Sequence, residues 1–466
     1  MYRKLISQYA WLISAILVFF FSWNAQSLWI DECCMMMSAA QETFGGVWTK
    51  ATDIGGSDTQ MAFYLYLLHI WTKLIAADTE LIFRTFNIIW VLLTAWFLRK
   101  EPKVMLIVLI SPFFIYYANE LRPYIMQIAA ACAATMFLYK RSLGEKQSYV
   151  YGFGLLFLLC TTSLSSVVWC IGFLAAWIIL DGKHFWSKNM LKALSCWSIP
   201  FIALGSYYLY TLLTGARATH IKSNFIVNIA ASVYELFGLT GLGPARGELR
   251  TCTQIEHILQ ERELLLPAFA GVIIGIILIW GAYKWYKQAS RALPLALLVL
   301  LILPLGIFSY ASGMMDFRFS GRHLAPVFPV VCIMISLGVK WSRQNVVLSI
   351  LSTILVCLWV TSAIRIRFDN TYAREDYRGA VAYCQAKKAS GEQVLLLCDH
   401  FGKHYYGWQN SIAPEDWSQC QVIAVSRPEN YKTLITEIED SHLYQKRKLC
   451  PAFWVYERIS PANECL

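Results

Sequence analysis

The sequence predicts an all-α polytopic membrane protein carrying a small α/β domain at its C-terminal end. Three observations carry this. Of 466 residues, 57% are apolar and only 15% are charged, and the mean hydropathy is +0.47, well outside the range of a soluble globular domain. Apolar runs recur at about 16 to 21 residues, a length that suits spanning helices, and they lack the alternation of a β-barrel. Short clusters of Lys and Arg separate the runs in a pattern that fixes sidedness.

Spans are expected near 9–28, 81–98, 104–118, 124–139, 148–164, 166–181, 193–213, 264–283, 293–312, 324–339 and 346–364, about eleven in all. With Arg3 and Lys4 inside, the basic loops at 99–103, 140–141, 183–192, 284–291 and 340–343 all fall on the cytoplasmic side. The aromatic stretch Met61 to Ala77, broken by His69 and Lys73, is read as an interfacial helix, because counting it as a span would invert every later loop. A secretory signal ending near Ala25-Gln26-Ser27 is the competing reading of the N-terminus. The length of the first run, and the acidic pair directly after it, favour an uncleaved anchor.

The remaining mass collects on the outer face, in loops at 29–80, 214–263 and 313–323 and in a tail from 365 to 466. The division is a transmembrane domain at 1–364 and an outer, periplasmic domain at 365–466. In the tail, a helix is expected at Tyr377 to Lys388, with strands at Gln393 to Cys398 and Gln421 to Val425, a small α/β unit. Of the 14 cysteines, Cys132, Cys160, Cys170, Cys196, Cys332 and Cys357 lie in spans as small apolar residues. The outer ones, Cys33, Cys34, Cys252, Cys384, Cys398, Cys420, Cys450 and Cys465, are expected to form disulfides whose pairing is unreadable. No Cys-x-x-Cys pair marks a zinc site.

The net charge of +10 largely reflects cytoplasmic loops and does not signal nucleic-acid binding. The informative cations are those on the outer face: Arg84, Arg122, Arg217, Lys222, Arg246, Arg250, Arg318 and Arg322. Such cations suit an anionic ligand such as a lipid phosphate, with headgroup anchoring as the plainer role.

Three outer segments carry candidate chemistry. Asp31 and Glu32 follow the first span, where adjacent carboxylates at a bilayer rim serve proton transfer, cation binding or helix capping. Glu120 and Arg122 lie in the turn Asn119-Glu120-Leu121-Arg122-Pro123-Tyr124. Arg318, Arg322 and His323 lie in Phe317-Arg318-Phe319-Ser320-Gly321-Arg322-His323-Leu324, where Gly321 is read as a bend.

An Asp-Glu pair after the first span, a Tyr-x-x-Glu-x-Arg-Pro-Tyr segment, a late Arg-His-Leu-x-Pro segment and a tail opening with Arg374-Glu375-Asp376-Tyr377-Arg378-Gly379-Ala380 together resemble the C-type (GT-C) glycosyltransferases. The likeness is to the bacterial branch near the protein O-mannosyltransferases and the lipid A aminoarabinose transferases. It implies a hexosyl- or pentosyltransferase that moves sugar from a polyprenyl phosphate to an acceptor hydroxyl on a lipid, glycan or protein at the periplasmic face of the inner membrane. It implies Asp31 as base and Glu32 and Glu120 as further catalytic acids. The donor phosphate is expected on Arg122, Tyr124, Arg318, Arg322, His323 and Arg84. No cofactor is required, although Asp31 and Glu120 could share a divalent cation. The segment Gly56-Ser57-Asp58-Thr59-Gln60-Met61 lacks the proline signature of many relatives, which argues against a literal protein mannosyltransferase.

The physical requirements match that implication: a base, cations for a leaving phosphate, and access from the bilayer. The rivals are a transporter or lipid flippase, which would place charge at mid-membrane and show repeated halves, and a glycan polymerase or ligase of the same architecture. A receptor-like role for the tail has least support.

Overall fold

The computed structural model describes residues 2–75, 79–214, 224–246, 249, 264–315 and 317–459. Arg217, Lys222, Arg250, Cys252 and Cys465 lie outside them. The membrane part runs through α1 (Tyr2–Ser22), α2 (Ile30–Ala39), α3 (Phe44–Ile54), α4 (Ala62–Ile75), α5 (Glu80–Phe83), α6 (Asn87–Leu98), α7 (Pro102–Ile110), α8 (Pro112–Ala118) and α9 (Tyr124–Ser142). It continues through α10 (Tyr149–Thr162), α11 (Leu164–Asp181), α12 (Lys188–Leu213), α13 (Phe225–Leu236), α14 (Leu265–Gln288), α15 (Leu293–Met315), α16 (Phe328–Gly338) and α17 (Val346–Phe368).

Among the described residues, six helical segments are long and apolar enough to cross a membrane: Glu80–Leu98, Leu164–Phe185, Lys188–Leu213, Leu265–Gln288, Leu293–Met314 and Val346–Phe368. Their exposed side chains are large and apolar, as at Ile199, Leu213, Leu265 and Ile279, the surface of a helix bundle that meets lipid. The chain is a helical membrane protein.

The expected count of about eleven is not reached among the described residues. The run at 104–118 is two short helices, because Pro112 drives Ser111 into extended backbone (φ −63, ψ 130) between them. Helix α1 runs 21 residues, Tyr2–Ser22, and ends there, where the carbonyls of Asn24, Gln26 and Ser27 accept hydrogen bonds from Arg84. At 124–139 the alanines Ala129, Ala130, Ala131, Ala133 and Ala134 let α6, α10, α11 and α16 approach, and α9 is buried along nearly its whole length. The apolar helices Tyr149–Thr162 and Phe328–Gly338 are shorter than a bilayer is thick. Helix α4 is not among the span-length segments.

The five basic loops gather at one end of the bundle. Lys103 Nζ donates to Val339 O, Lys284 Nζ to Leu337 O at 3.0 Å, and Ser290 N to Ser142 O at 2.8 Å, while Arg141 pairs with Asp181 at 2.7 Å. The candidate site residues gather at the other end. Two-sidedness inferred from Lys and Arg spacing is therefore reproduced in space.

The C-terminal unit is a four-stranded sheet of order β1-β2-β4-β3, with β1 (Val394–Leu397) parallel to β2 (Val422–Ser426), and β3 (Tyr444–Cys450) and β4 (Phe453–Arg458) antiparallel. Alternation along the strands buries both faces. Val394, Leu396, Val422 and Ala424 pack with Tyr377 and Val381 of helix α18 (Tyr377–Ala389). Leu395, Leu397, Ile423 and Val425 pack with Ile435 and Ile438 on the opposite side. Strand β3 escapes sequence reading because Gln445-Lys446-Arg447-Lys448 reads as polar loop, yet such charge blunts an edge strand. The expected disulfides do not form among the described residues: Cys33, Cys34, Cys384, Cys398, Cys420 and Cys450 are free thiols.

Helices α14 and α16 touch backbone to backbone. A Cβ on Gly338 would lie 2.1 Å from Ile277 O, and one on Gly281 would lie 1.7 Å from Met334 O, whereas Gly275 faces open space. Gly338→Ala should therefore lower stability by about 1–3 kcal/mol through overpacking, while Gly275→Ala should be neutral or stabilising by up to about 1 kcal/mol. Thermal unfolding in detergent reads both signs.

Candidate functional site

Helix α2 begins after Trp29, whose backbone is extended (φ −86, ψ 171). This places Asp31 and Glu32 in its first turn, where carboxylates favour the free N–H groups. Consecutive residues on a helix point about 100° apart and do not face each other. Asp31 and Glu32 accordingly part and enter different surroundings.

Glu32 turns inward and is fully buried. Its Oε2 accepts from Trp29 N at 3.2 Å and Arg84 Nη2 at 3.2 Å, and its Oε1 accepts from Leu121 N at 2.8 Å. Arg84, equally buried, spends its other donors on the carbonyls of Asn24, Gln26 and Ser27. Arg374, from the start of the soluble domain, joins Glu32 Oε2 at 3.3 Å to Glu120 Oε2 at 3.1 Å. Glu120 is fully buried, and its Oε1 has no hydrogen-bond partner among the described residues. Asn87 Nδ2 donates to Ala118 O and Glu120 O, fixing the turn that presents Glu120. Two acids and two arginines thus form one closed cluster. Glu32 and Glu120, expected to face a reactant, and Arg84, expected to hold a phosphate, are instead fully buried and paired with one another through this cluster.

Arg122 is buried as well, and it binds Asp58, Ser57 Oγ at 3.1 Å and the backbone carbonyl of Asp31 at 3.1 Å. Its partner Asp58 was not singled out as a site residue from the sequence. Asp58 lies in the stretch where the proline signature is missing, and burial pushes its carboxyl above the usual carboxylate range against the pull of Arg122. Arg122 therefore braces the start of α2, with both terminal guanidinium nitrogens bonded within the protein where a phosphate contact was expected.

Asp31 turns outward. Its carboxylate meets Arg322 Nη1 at 2.8 Å, and the two side chains are 29% and 25% exposed. Arg322 also lies over the Tyr124 ring at 5.8 Å. Beside it, half-buried Arg318 is pulled down in pKa by burial and by the neighbouring cations Arg322, Arg246 and Arg427. Gly321 has a role different from the expected bend: a Cβ there would lie 2.2 Å from Glu235 Oε2. Glu235 in turn pairs with Arg246 at 3.1 Å, and Arg246 Nη1 donates to Tyr116 Oη at 2.9 Å.

His323 is not presented to a ligand. Its ring packs among Phe308, Phe317 and Phe319, Ser320 N donates to its Nδ1 at 3.0 Å, and burial beside Arg322 pushes its pKa well below the ordinary value. It stays neutral and structural.

Two recesses open on this end. One of about 340 Å³ is lined by Asn24, Asn119, Tyr116, Arg367 and Arg374. The other, of about 260 Å³, is lined by Tyr116, Tyr117, Glu235 and Arg246. Asp31 and Arg322 line neither and are partly exposed. Among the described residues no three His, Cys, Asp or Glu side chains gather as a metal ligand set. Asp31 and Glu120, expected to share a cation, pair with Arg322 and Arg374 respectively.

No family model and no curated protein matches the chain. Among solved structures it is similar to the arabinofuranosyltransferase AftD from Mycobacteria, with 11% identity and a TM-score of 0.39. That alignment covers 97% of this chain and 40% of the other, so the chain spans two fifths of the length of the protein it matches. A likeness so distant assigns no activity.

Breaking the buried cluster should be far costlier than breaking the open pair. Arg84→Ala should cost about 3–5 kcal/mol, whereas Asp31→Asn should cost no more than about 1 kcal/mol, since the Asp31–Arg322 pair is partly solvated. Thermal unfolding of the two variants in detergent separates them.

His323 sets a pH signature. Its folded pKa lies below its unfolded value of about 6.5, so below pH 6.5 the unfolded chain binds a proton that the folded chain refuses. Stability should fall with acidification by up to about 1.4 kcal/mol per pH unit. His323→Phe should remove one proton from that slope, as measured by unfolding between about pH 5 and 7.

Proposed function

We propose that this protein is a membrane glycosyltransferase that moves a sugar from a polyprenyl phosphate to an acceptor hydroxyl, with Asp31 as the general base. One observation carries the reading. Of the four acids gathered here, Glu32, Asp58 and Glu120 are buried, while Asp31 keeps its carboxylate partly open and 2.8 Å from an arginine.

In this scheme Asp31 takes the proton of the acceptor hydroxyl, whose oxygen attacks the anomeric carbon. The bond from that carbon to the phosphate oxygen breaks, and the phosphate leaves with the electron pair. Arg322 and Arg318 are the cations for the developing charge, which arginine meets with paired N–H donors. Tyr124 supports Arg322 from below. The catalytic set thus narrows from Asp31, Glu32 and Glu120 to Asp31, and the phosphate set narrows from six residues to Arg318 and Arg322 with Tyr124 behind them. A transporter or flippase is less well supported, because the ionisable residues gather at the two ends of the bundle, whereas a transport path carries them to mid-membrane.

Mass analysis of cell-envelope glycolipids and glycans is the test. Cells carrying the wild-type protein should contain a sugar-modified product that falls by roughly two to four orders of magnitude with Asp31→Asn. Unchanged product with Asp31→Asn, the variant being folded and abundant, would overturn the assignment of Asp31.

A further inference from the structure

The tail-opening motif Arg374-Glu375-Asp376-Tyr377-Arg378-Gly379 is left unused by the reaction, and the structure gives each of its side chains a partner. Asp376 caps helix α18, with its Oδ1 accepting from Gly379 N at 2.9 Å. Glu375 pairs with Arg427 inside the soluble domain, and Tyr377 is buried in its core. The two arginines point the other way, into the membrane part. Arg378 donates to Ala25 O at 2.7 Å and Glu80 Oε2 at 3.0 Å, and its backbone N–H donates to Ser27 Oγ. Arg374 reaches Glu32 and Glu120, with its guanidinium 4.6 Å over the Tyr116 ring and 5.8 Å from that of Trp29.

We propose that Arg374 is a positioning residue through which the docked soluble domain holds helix α2, and with it Asp31, in place. The charge count requires it. Glu32 and Glu120 are both sealed from water, and Arg84 can balance only one of them. Without Arg374 a carboxylate is left buried and uncompensated, and the turn at 118–122 and the start of α2 must open to hydrate it. The soluble domain also grips the approach to α2. Leu28 N donates to Tyr406 Oη at 2.8 Å, Tyr406 Oη donates to Glu80 Oε1 at 3.0 Å, and the helix His400–Tyr405 packs on α2. The segment from Ala25 to Glu32 is thus clamped between Arg84 and the tail. The link to Asp31 chemistry rests on the glycosyltransferase reading, but the link between tail and α2 does not.

Hydrogen exchange on the full-length protein in nanodiscs tests the clamp without any substrate. In Arg374→Ala, amides of residues 30–39 should exchange on the order of a hundredfold faster than in wild type. Arg374→Lys should recover part of that protection, because it restores the charge without the fork. Adding Glu120→Gln to Arg374→Ala should also recover part, because it removes the acid left unbalanced. Arg427→Ala, which breaks only the Glu375 pair, should loosen the soluble domain and leave α2 protected. Unchanged exchange of residues 30–39 in Arg374→Ala would overturn the proposal, as would loosening that Glu120→Gln fails to relieve. If α2 loosens as expected while envelope glycans stay unchanged in both Arg374→Ala and Asp31→Asn, the clamp stands and the glycosyltransferase reading falls.

Discussion

The membrane part, the soluble domain and the open face are all organised around the buried carboxylate of Glu32. Burying a charge so completely costs several kcal/mol, and only saturation of its oxygens by charged and backbone donors offsets that cost. Glu32 draws hydrogen-bond donors from three directions, Trp29 N at the start of its own helix, Leu121 N from the turn after α8 and Arg84 from the segment before α6, and Arg374 from the tail adds an ion pair. Each donor fixes the piece of chain that carries it. The extended stretch after α1 follows, since the same guanidinium of Arg84 takes up its carbonyls in place of helical N–H groups.

A cluster of this kind explains why so many outer-face charges are unavailable as ligands. Cations near a membrane surface suggest an anion-binding mouth, yet Arg84, Arg122 and Arg374 each meet a carboxylate of the chain itself. The charges balance internally, and only the Arg318–Arg322 side is left facing outward with partly solvated groups. That asymmetry gives the end of the bundle a direction. Glu235 and Arg246 repeat the pattern of internal pairing next door, and the missing side chain of Gly321 is what lets Glu235 approach the loop that bears Arg322.

The gathering of the basic loops at one end of the bundle and the C-terminal sheet were legible in the sequence, because Lys and Arg spacing and short apolar runs are local signals. The break at Pro112 was legible in principle, since proline constrains Ser111 directly, but an apolar run hides it. The burial of α9 was not, because hydropathy cannot distinguish a helix surrounded by protein from one surrounded by lipid. The alanine-rich stretch from Ala129 to Ala134 was the one trace of it. Ion pairs between segments far apart in the chain were also hidden. Asp58 carried no motif, and Arg374 was visible only as the first letter of a pattern whose partners lay elsewhere.

The pair Asp31-Glu32 is best understood as two residues with one address and two tasks. A carboxylate that acts on a bound reactant must be held firmly and yet stay open to what enters, and a single side chain cannot be both sealed and available. Adjacent positions on a helix resolve the conflict through geometry alone, since a turn of about 100° per residue sends one acid into the protein and leaves the next at the surface. Glu32 supplies the fixed point, locked by three hydrogen-bond donors and the ion pair with Arg374. Asp31 inherits a defined backbone from it, reinforced by Arg122 bonding its carbonyl, and keeps its own carboxylate beside Arg322. The order of the two matters: exchanging them would bury the shorter side chain, whose reach falls short of Leu121 N and Arg374, and would leave the longer, more mobile one at the open face.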